Sequence, residues 1–288
     1  MSFVYAEQSN IENVASVHIY SDTKLTFDDR SPNIANWGNA TLRRVMRFGL
    51  VKSMIISPKC CLSFAGNDIS YAHKLLSDIY VARILENDEL LSLALSVHKE
   101  AGPDKCEFII CLADDEDNVS ITCIKNGEMH QNCPQAWIGS YDTFYNLRKQ
   151  QEMARAEKKT PSIGSMIQEA IHEGHDPTVG GFMINVRYDS FAHHFVYSEC
   201  LESSVEYPQV VKLGEKIRFY DDASKGGYTV YYRESDSDVI IDFQQADISV
   251  AYTNRYRYEE ETEINEYTKH FMLPIFFKTS TGKVLDTI

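Results

Sequence analysis

The sequence predicts an α+β fold, and three patterns predict it. Short runs of alternating apolar residues begin at the start of the chain. Apolar residues at spacings of three and four follow near residue 75, and strand-like runs bounded by Gly, Asn, Asp and Ser return later. In the first run Phe3, Tyr5 and Glu7 alternate with Val4, Ala6 and Gln8, the two-residue period of a strand. Ser9–Asn13 reads as a turn, and Ser16–Ser21 as a second strand that closes on Asp22-Thr23-Lys24. A hairpin pivoting near Glu12 sets Ser2 across from Asp22. A carboxylate there would hold a lysine or an α-ammonium by a charge-assisted hydrogen bond.

Lys52-Ser53-Met54-Ile55-Ile56-Ser57 is the next strand, Ser57-Pro58 its turn, and Lys59–Gly66 an apolar strand ending at Ala65-Gly66. Ile69, Ala72, Leu75, Leu76, Ile79 and Ala82 then mark one face of a helix. Phe108–Ala113 and Val119–Ile124 form a strand pair about the acidic turn Asp114–Asp117. Asn126-Gly127 leads on to Ala136-Trp137-Ile138-Gly139-Ser140 and a further helix. A last helix, Ile163–His172, ends before Asp176 and the strand Phe182–Val186. Beyond residue 200, Val210–Gly214, Gly227–Tyr232 and Val239–Phe243 read as strands, which makes 201–288 a β-rich extension to a core at 1–200.

The chain's second residue carries the chemistry. Methionine aminopeptidase removes Met1 when a small residue follows, so Ser2 is expected to become a free N-terminus. A terminal serine supplies its own base, because an α-amine titrates near ~7.7–8.0. The ordered set Ser2, Asp22-Thr23-Lys24, Lys52 and Ala65-Gly66, with Lys52 and Gly66 fourteen residues apart, resembles the proteasome-type N-terminal-nucleophile hydrolases. It is most similar to the bacterial Anbu group, relatives of the proteasome β-subunits. The resemblance covers roughly residues 2–200.

The resemblance implies a four-layer αββα sandwich, two antiparallel sheets with the 67–101 helices on one side and the 141–156 and 163–172 helices on the other. The first hairpin is further expected to share a sheet with residues 52–64, and the family resemblance is conditional on that shared sheet. Ser2 is the implied nucleophile. Lys52, facing Asp22, would lower the proton affinity of the neighbouring amine and stabilise developing negative charge. Gly66 would donate its N–H to the oxyanion from a helix start. Ser140, in the family's Gly-Ser turn, would support the nucleophile, and Asp176 fills the family's aspartate at the helix-to-strand corner. From sequence, Lys52→Ala is expected to leave the fold largely intact. Peptide or unfolded-protein substrates, a homo-oligomeric ring or helical stack, and a separate unfoldase complete what the family implies.

Departures are plain. The hairpin is four residues longer than the family's, and counting back by the usual spacing lands on Ala6, which has no nucleophilic atom. Phe27–Leu50 is an insertion, and Val179 stands where the family often has serine. A catalytically inactive scaffold or binding subunit and a small-molecule amidase on the same fold therefore stay open beside the peptidase. The plain alternatives for the single residues are a solvated Asp22–Lys24 charge pair, an edge-blocking Lys52 and a turn glycine at Gly66.

Composition narrows the remaining classes. A net charge of −14 with no basic tract argues against nucleic acid. Seven cysteines with no CxxC read as thiols of a reducing compartment, and the missing signal sequence and apolar span point to a cytoplasmic protein away from membranes. No cofactor is expected, since neither a Walker loop nor GxGxxG occurs. No metal is expected either: His172-Glu173-Gly174-His175 lacks the zinc-protease spacing, and neighbours such as His193 and His194 face opposite ways in a strand. The stripe of Tyr252, Arg255, Tyr256, Arg257 and Tyr258 reads as a tyrosine-rich strand face.

Overall fold

A computed structural model describes residues 2–11, 14–25, 34–37, 40–43, 50–82, 86–159, 162–172, 176–181, 183–201 and six strands between 216 and 287. Only the backbone is described at 10–11, 14–15, 34–37, 40–43, 80–82, 172, 198–201 and in the six late strands. Strands β1 (Phe3–Ile11) and β2 (Val14–Asp22) form the first hairpin, and β3 (Ile34–Trp37) pairs with β4 (Ala40–Arg43). β5 (Ser53–Ser57) and β6 (Cys60–Gly66) precede helices α1 (Ser70–Ala82) and α2 (Asn87–Ala101). β7 (Cys106–Ala113), β8 (Val119–Lys125), β9 (Glu128–His130) and β10 (Gln135–Gly139) lead to α3 (Tyr141–Ala156) and α4 (Ile163–His172). β11 (Met183–Asp189) and β12 (His194–Leu201) follow.

These strands make two five-stranded antiparallel sheets, ordered β10-β1-β2-β11-β12 and β5-β6-β7-β8-β9. The alternation in β1 explains the layering. Val4 and Ala6, with Val17 and Ile19 of β2, face a core shared with β5–β8, α1 and α2. Phe3, Tyr5 and Tyr20 face the opposite way, onto Leu147 of α3 and Met166, Ile167 and Ile171 of α4. The fold is thus α+β, a four-layer αββα sandwich. Every residue of β7 is buried, as a strand covered on both faces must be. The 3.6-residue period places Ala72, Leu75, Leu76 and Ile79 of α1, and Leu90, Leu91, Ala94 and Val97 of α2, inward.

Two expectations about the hairpin are corrected. Its register runs from Val4↔Ser21 to Ile11↔Val14, one residue away from a pivot at Glu12. Phe3, rather than Ser2, therefore lies level with Asp22, and Ser2 falls level with Thr23. The observed register gathers Val4, Ala6, Val17 and Ile19 on one core face, which a one-residue slip would divide. The hairpin also does not share a sheet with 52–64. Both edges of β1 are taken by β10 and β2, and both edges of β6 by β5 and β7, so the two layers meet by stacking. The condition set on the family resemblance thus fails in the form expected.

The Asn126-Gly127 turn, with φ of 55° and 81°, closes a two-residue β8–β9 hairpin. His98 is fully buried behind it. Its Nδ1 lies 2.7 Å from the Cys106 carbonyl and its Nε2 accepts the Gly127 N–H at 2.8 Å, so both ring nitrogens are satisfied. The late strands β13 (Lys216–Asp222), β14 (Gly227–Arg233), β15 (Val239–Phe243), β16 (Ile248–Tyr252), β17 (Ile275–Thr279) and β18 (Val284–Thr287) form a separate antiparallel meander. Val210–Gly214, the 255–258 part of the tyrosine stripe, Phe182, His175 and most of the Phe27–Leu50 insertion lie outside the described residues. No helix among the described residues is long and apolar enough to cross a membrane.

Candidate active site

Asp22 ends β2 fully buried, and four donors meet its carboxylate. Oδ1 accepts the Phe3 N–H at 2.9 Å and Lys52 Nζ at 2.6 Å. Oδ2 accepts the backbone N–H groups of Lys24 and Gly180, each at 3.2 Å. Lys52, just ahead of β5, is 1% exposed and gives a second hydrogen bond to the Lys24 carbonyl at 2.7 Å. Two of its three ammonium protons are thereby assigned. Burial lowers the Lys52 ammonium from its ordinary value, against the upward pull of Asp22. Neither the solvated charge pair nor the edge-blocking lysine describes these residues. Lys24 turns away and gives its ammonium to the Pro177 carbonyl at 2.5 Å.

Ser2 is 5% exposed and sits directly ahead of the residue that Asp22 holds. Its carbonyl accepts the Ser140 N–H at 2.7 Å. That approach depends on Gly139, whose φ is +87° and whose missing Cβ would stand 1.9 Å from the Ser2 oxygen. Only glycine takes this conformation without strain and leaves the space open. The Ser140 hydroxyl caps α3 by accepting the Thr143 N–H at 3.1 Å and donates to Asp176 Oδ2. Asp176 also accepts from Thr178 through N–H and Oγ1 at 2.8 and 2.6 Å, and from Thr143 Oγ1 at 3.3 Å.

Ser2 is accordingly flanked on one side by the Asp22–Lys52 pair and on the other by the Ser140–Asp176 network. Ala6, the alternative first residue, is fully buried in mid-strand opposite Ile19, three ladder positions from Asp22. The extra length of the hairpin lies at its far end, since pairing continues to Ile11↔Val14. Gly66 does not stand at a helix start. It closes β6 opposite Cys106, four residues before α1 begins, and a Cβ there would stand 2.0 Å from the Lys105 carbonyl. Its place is required by that close approach rather than by a helix start.

Sequence reasoning missed Gly180 and Glu107. Gly180 serves Asp22 with its N–H, and its carbonyl accepts the N–H groups of Thr23 at 3.3 Å and Lys24 at 3.1 Å. The Gly180-Gly181 pair ahead of a strand was the available signal. Glu107 accepts the Gly139 N–H, and nothing in the apolar run that follows it marks this role. Val179 is a core residue beneath α4. His193 adopts φ of 57° in the turn before β12 and faces Asp117, so strand alternation does not govern the His193-His194 pair. Among the described residues no group of three or more His, Cys, Asp or Glu is placed to hold a metal ion.

Asp176 sets a pH dependence. Burial alone would raise its carboxyl, but the hydrogen bonds from Ser140, Thr178 and Thr143 outweigh it and hold the group below 3.8. A carboxyl depressed in the folded state stabilises the fold above its unfolded value, and that stability is lost as pH falls through the folded value. Urea midpoints are therefore expected to fall as pH drops below about 3.8. Asp176→Asn should be less stable than wild type at pH 7 and show a flatter acid decline; equal slopes would refute the assignment.

No family model matches the chain, and no curated protein matches it in sequence.

Proposed function

We propose that the protein is an N-terminal-nucleophile hydrolase of the proteasome type, cleaving peptide bonds through Ser2 once the residue before it is removed. The observation that carries this reading is the buried Asp22–Lys52 pair, which ties down the Phe3 amide while the Ser140 amide ties down the Ser2 carbonyl. The first residue of β1 is thus held from both sides, as a pre-positioned nucleophile needs to be. The lost shared sheet removes one support of the family resemblance, and this local geometry stands in its place.

In the proposed mechanism the Ser2 α-amine takes the Oγ proton as Oγ attacks the substrate carbonyl carbon. The third Lys52 N–H and its charge stabilise the tetrahedral oxyanion and keep the amine's proton affinity low. Collapse breaks the C–N bond, the α-ammonium returns its proton to the leaving amine, and an ester on Ser2 remains. Water, deprotonated by the same amine, attacks that ester; as the Oγ–acyl bond breaks, the α-ammonium returns its proton to Ser2 Oγ and the acid is released. Asp22 keeps Lys52 aimed, and Asp176 keeps Ser140 aimed.

The near-complete burial of Ser2 favours a second reading, a noncatalytic subunit of the same fold. A homo-oligomer, a cytoplasmic setting and a partner unfoldase belong to the proposal and rest on the resemblance alone. Intact-mass measurement is expected to show Ser2 as the N-terminus. Fluorogenic peptides should be turned over faster than small amides, and Ser2→Ala should abolish turnover. Retained Met1 would leave the noncatalytic subunit, full turnover by Ser2→Ala would refute the Ser2 mechanism, and preference for small amides would make the protein an amidase.

A further inference from the structure

We infer that Glu107 is a positioning residue of this site, reaching from the second sheet to hold Gly139 and, through it, the Ser140 N–H that clasps Ser2. The inference rests on the reading of Ser2 as nucleophile. Glu107 lies on β7 opposite Ala65 and is 7% exposed. Its Oε2 accepts the Gly139 N–H at 2.8 Å, a bond that runs between the two stacked sheets. Gly139 is the left-handed residue with no Cβ to block the Ser2 carbonyl, and the next amide along is the one that binds that carbonyl. Fixing the Gly139 N–H anchors one of the two peptide planes that meet at Gly139, and so narrows the directions open to the Ser140 N–H in the other.

The choice of a carboxylate is costly in this place. Lys125 of β8 is the nearest cation, 3.8 Å away, and its ammonium is also drawn over the Trp137 ring, 3.1 Å from the centroid. The other titratable groups about Glu107 are His98 of α2, whose ring is committed elsewhere, Asp104, which opposes ionisation, and the thiols of Cys106 and Cys123, which burial pushes up and keeps neutral. Burial pushes the Glu107 carboxyl up, with the Gly139 N–H and Lys125 pulling it down. A neutral glutamine would fill the same volume and still accept the amide without the desolvation of a charge. The carboxylate instead gives an acceptor with no donor face and a stronger, charge-assisted bond. A residue that costs stability while sharpening a clasp on the nucleophile fits a functional role better than a structural one.

Glu107→Gln and Glu107→Ala separate the two roles. Three readouts are needed: urea stability, hydrogen exchange at the Ser140 amide, and the rate at which an electrophilic peptide acylates Ser2. For a positioning carboxylate, Glu107→Gln should be at least as stable as wild type yet exchange Ser140 faster and acylate about tenfold more slowly. Glu107→Ala should lose about 10²-fold in acylation. The wild-type rate should also fall on acidification through a carboxyl value above the ordinary 4.5, a limb absent from Glu107→Gln. Unchanged Ser140 exchange and unchanged acylation in Glu107→Gln would overturn the inference, as would a loss of stability with no change at Ser140. If the wild type is not acylated at all, the hydrolase reading fails and Ser140 exchange alone decides the role of Glu107.

Discussion

Lys52→Ala is expected to lower folding stability by about 3–5 kcal/mol and to slow acylation of Ser2 by about 10²–10³. The first effect arises because Asp22 has no exposed surface on which to shed its charge. Removing the ammonium leaves a buried carboxylate whose remaining donors, among the described residues, are the N–H groups of Phe3, Lys24 and Gly180. The expectation from sequence that the fold would be left largely intact is set aside on this ground. The second effect arises because the same ammonium supplies the charge beside Ser2. Lys52→Arg should not rescue either, since a planar guanidinium does not fit a pocket in which Nζ meets Asp22 at 2.6 Å and the Lys24 carbonyl at 2.7 Å. The double variant Asp22→Asn with Lys52→Met should recover much of the stability, because it removes both charges together, and none of the rate. Urea unfolding gives the first quantity, and acylation rates on folded protein give the second. Recovery of the rate in the double variant would show that the pair is merely structural.

Gly139→Ala is expected to disrupt both the fold at the start of β1 and the reactivity of Ser2. The left-handed conformation alone costs a non-glycine residue about 1–2 kcal/mol. The added carbon would also stand 1.9 Å from the Ser2 oxygen and 2.8 Å from its carbonyl carbon, both backbone atoms that no rotamer change moves aside. Either β1 shifts at its first residue or β10 loses its pairing of Phe3 with Gly139. Thermal unfolding should show a large loss in Tm, and Ser2 acylation should fall below detection even where the chain is folded. A variant that keeps wild-type Tm and acylation would mean that the Ser140–Ser2 contact is dispensable.

How much of this was legible in the sequence follows from range. The β1, β2, β6, β7 and β8 strands, the face of α1 and the span of α4 were legible because apolar periodicity is local. Asp22, Lys52, Ser140 and Asp176 were named from order along the chain, and the structure brings the first two into contact and the last two into contact. The register error of one residue came from pivoting the hairpin on Glu12, when the deciding factor was which apolar residues share a face. The assignment of 2–22 and 52–64 to one sheet failed because sheet membership depends on which edges are already occupied, a property of the assembled fold. Gly66 was read as a helix start, but α1 begins four residues later, and the Lys105 carbonyl that demands glycine there is 39 residues away in sequence. Gly180 and Glu107 serve through hydrogen bonds to or from backbone groups or side chains far away in sequence, partners that local composition does not identify.

The most direct test of Ser2 as nucleophile is reaction with a peptide epoxyketone, whose electrophile closes a ring only on a residue offering both a hydroxyl and a free α-amine. Peptide-mapping mass spectrometry should then find the adduct on Ser2 at the N-terminus, absent from Ser2→Ala and strongly slowed in Lys52→Ala. An unmodified Ser2 under conditions where the protein is folded and its amine is free, or an adduct that persists in Ser2→Ala, would contradict the mechanism.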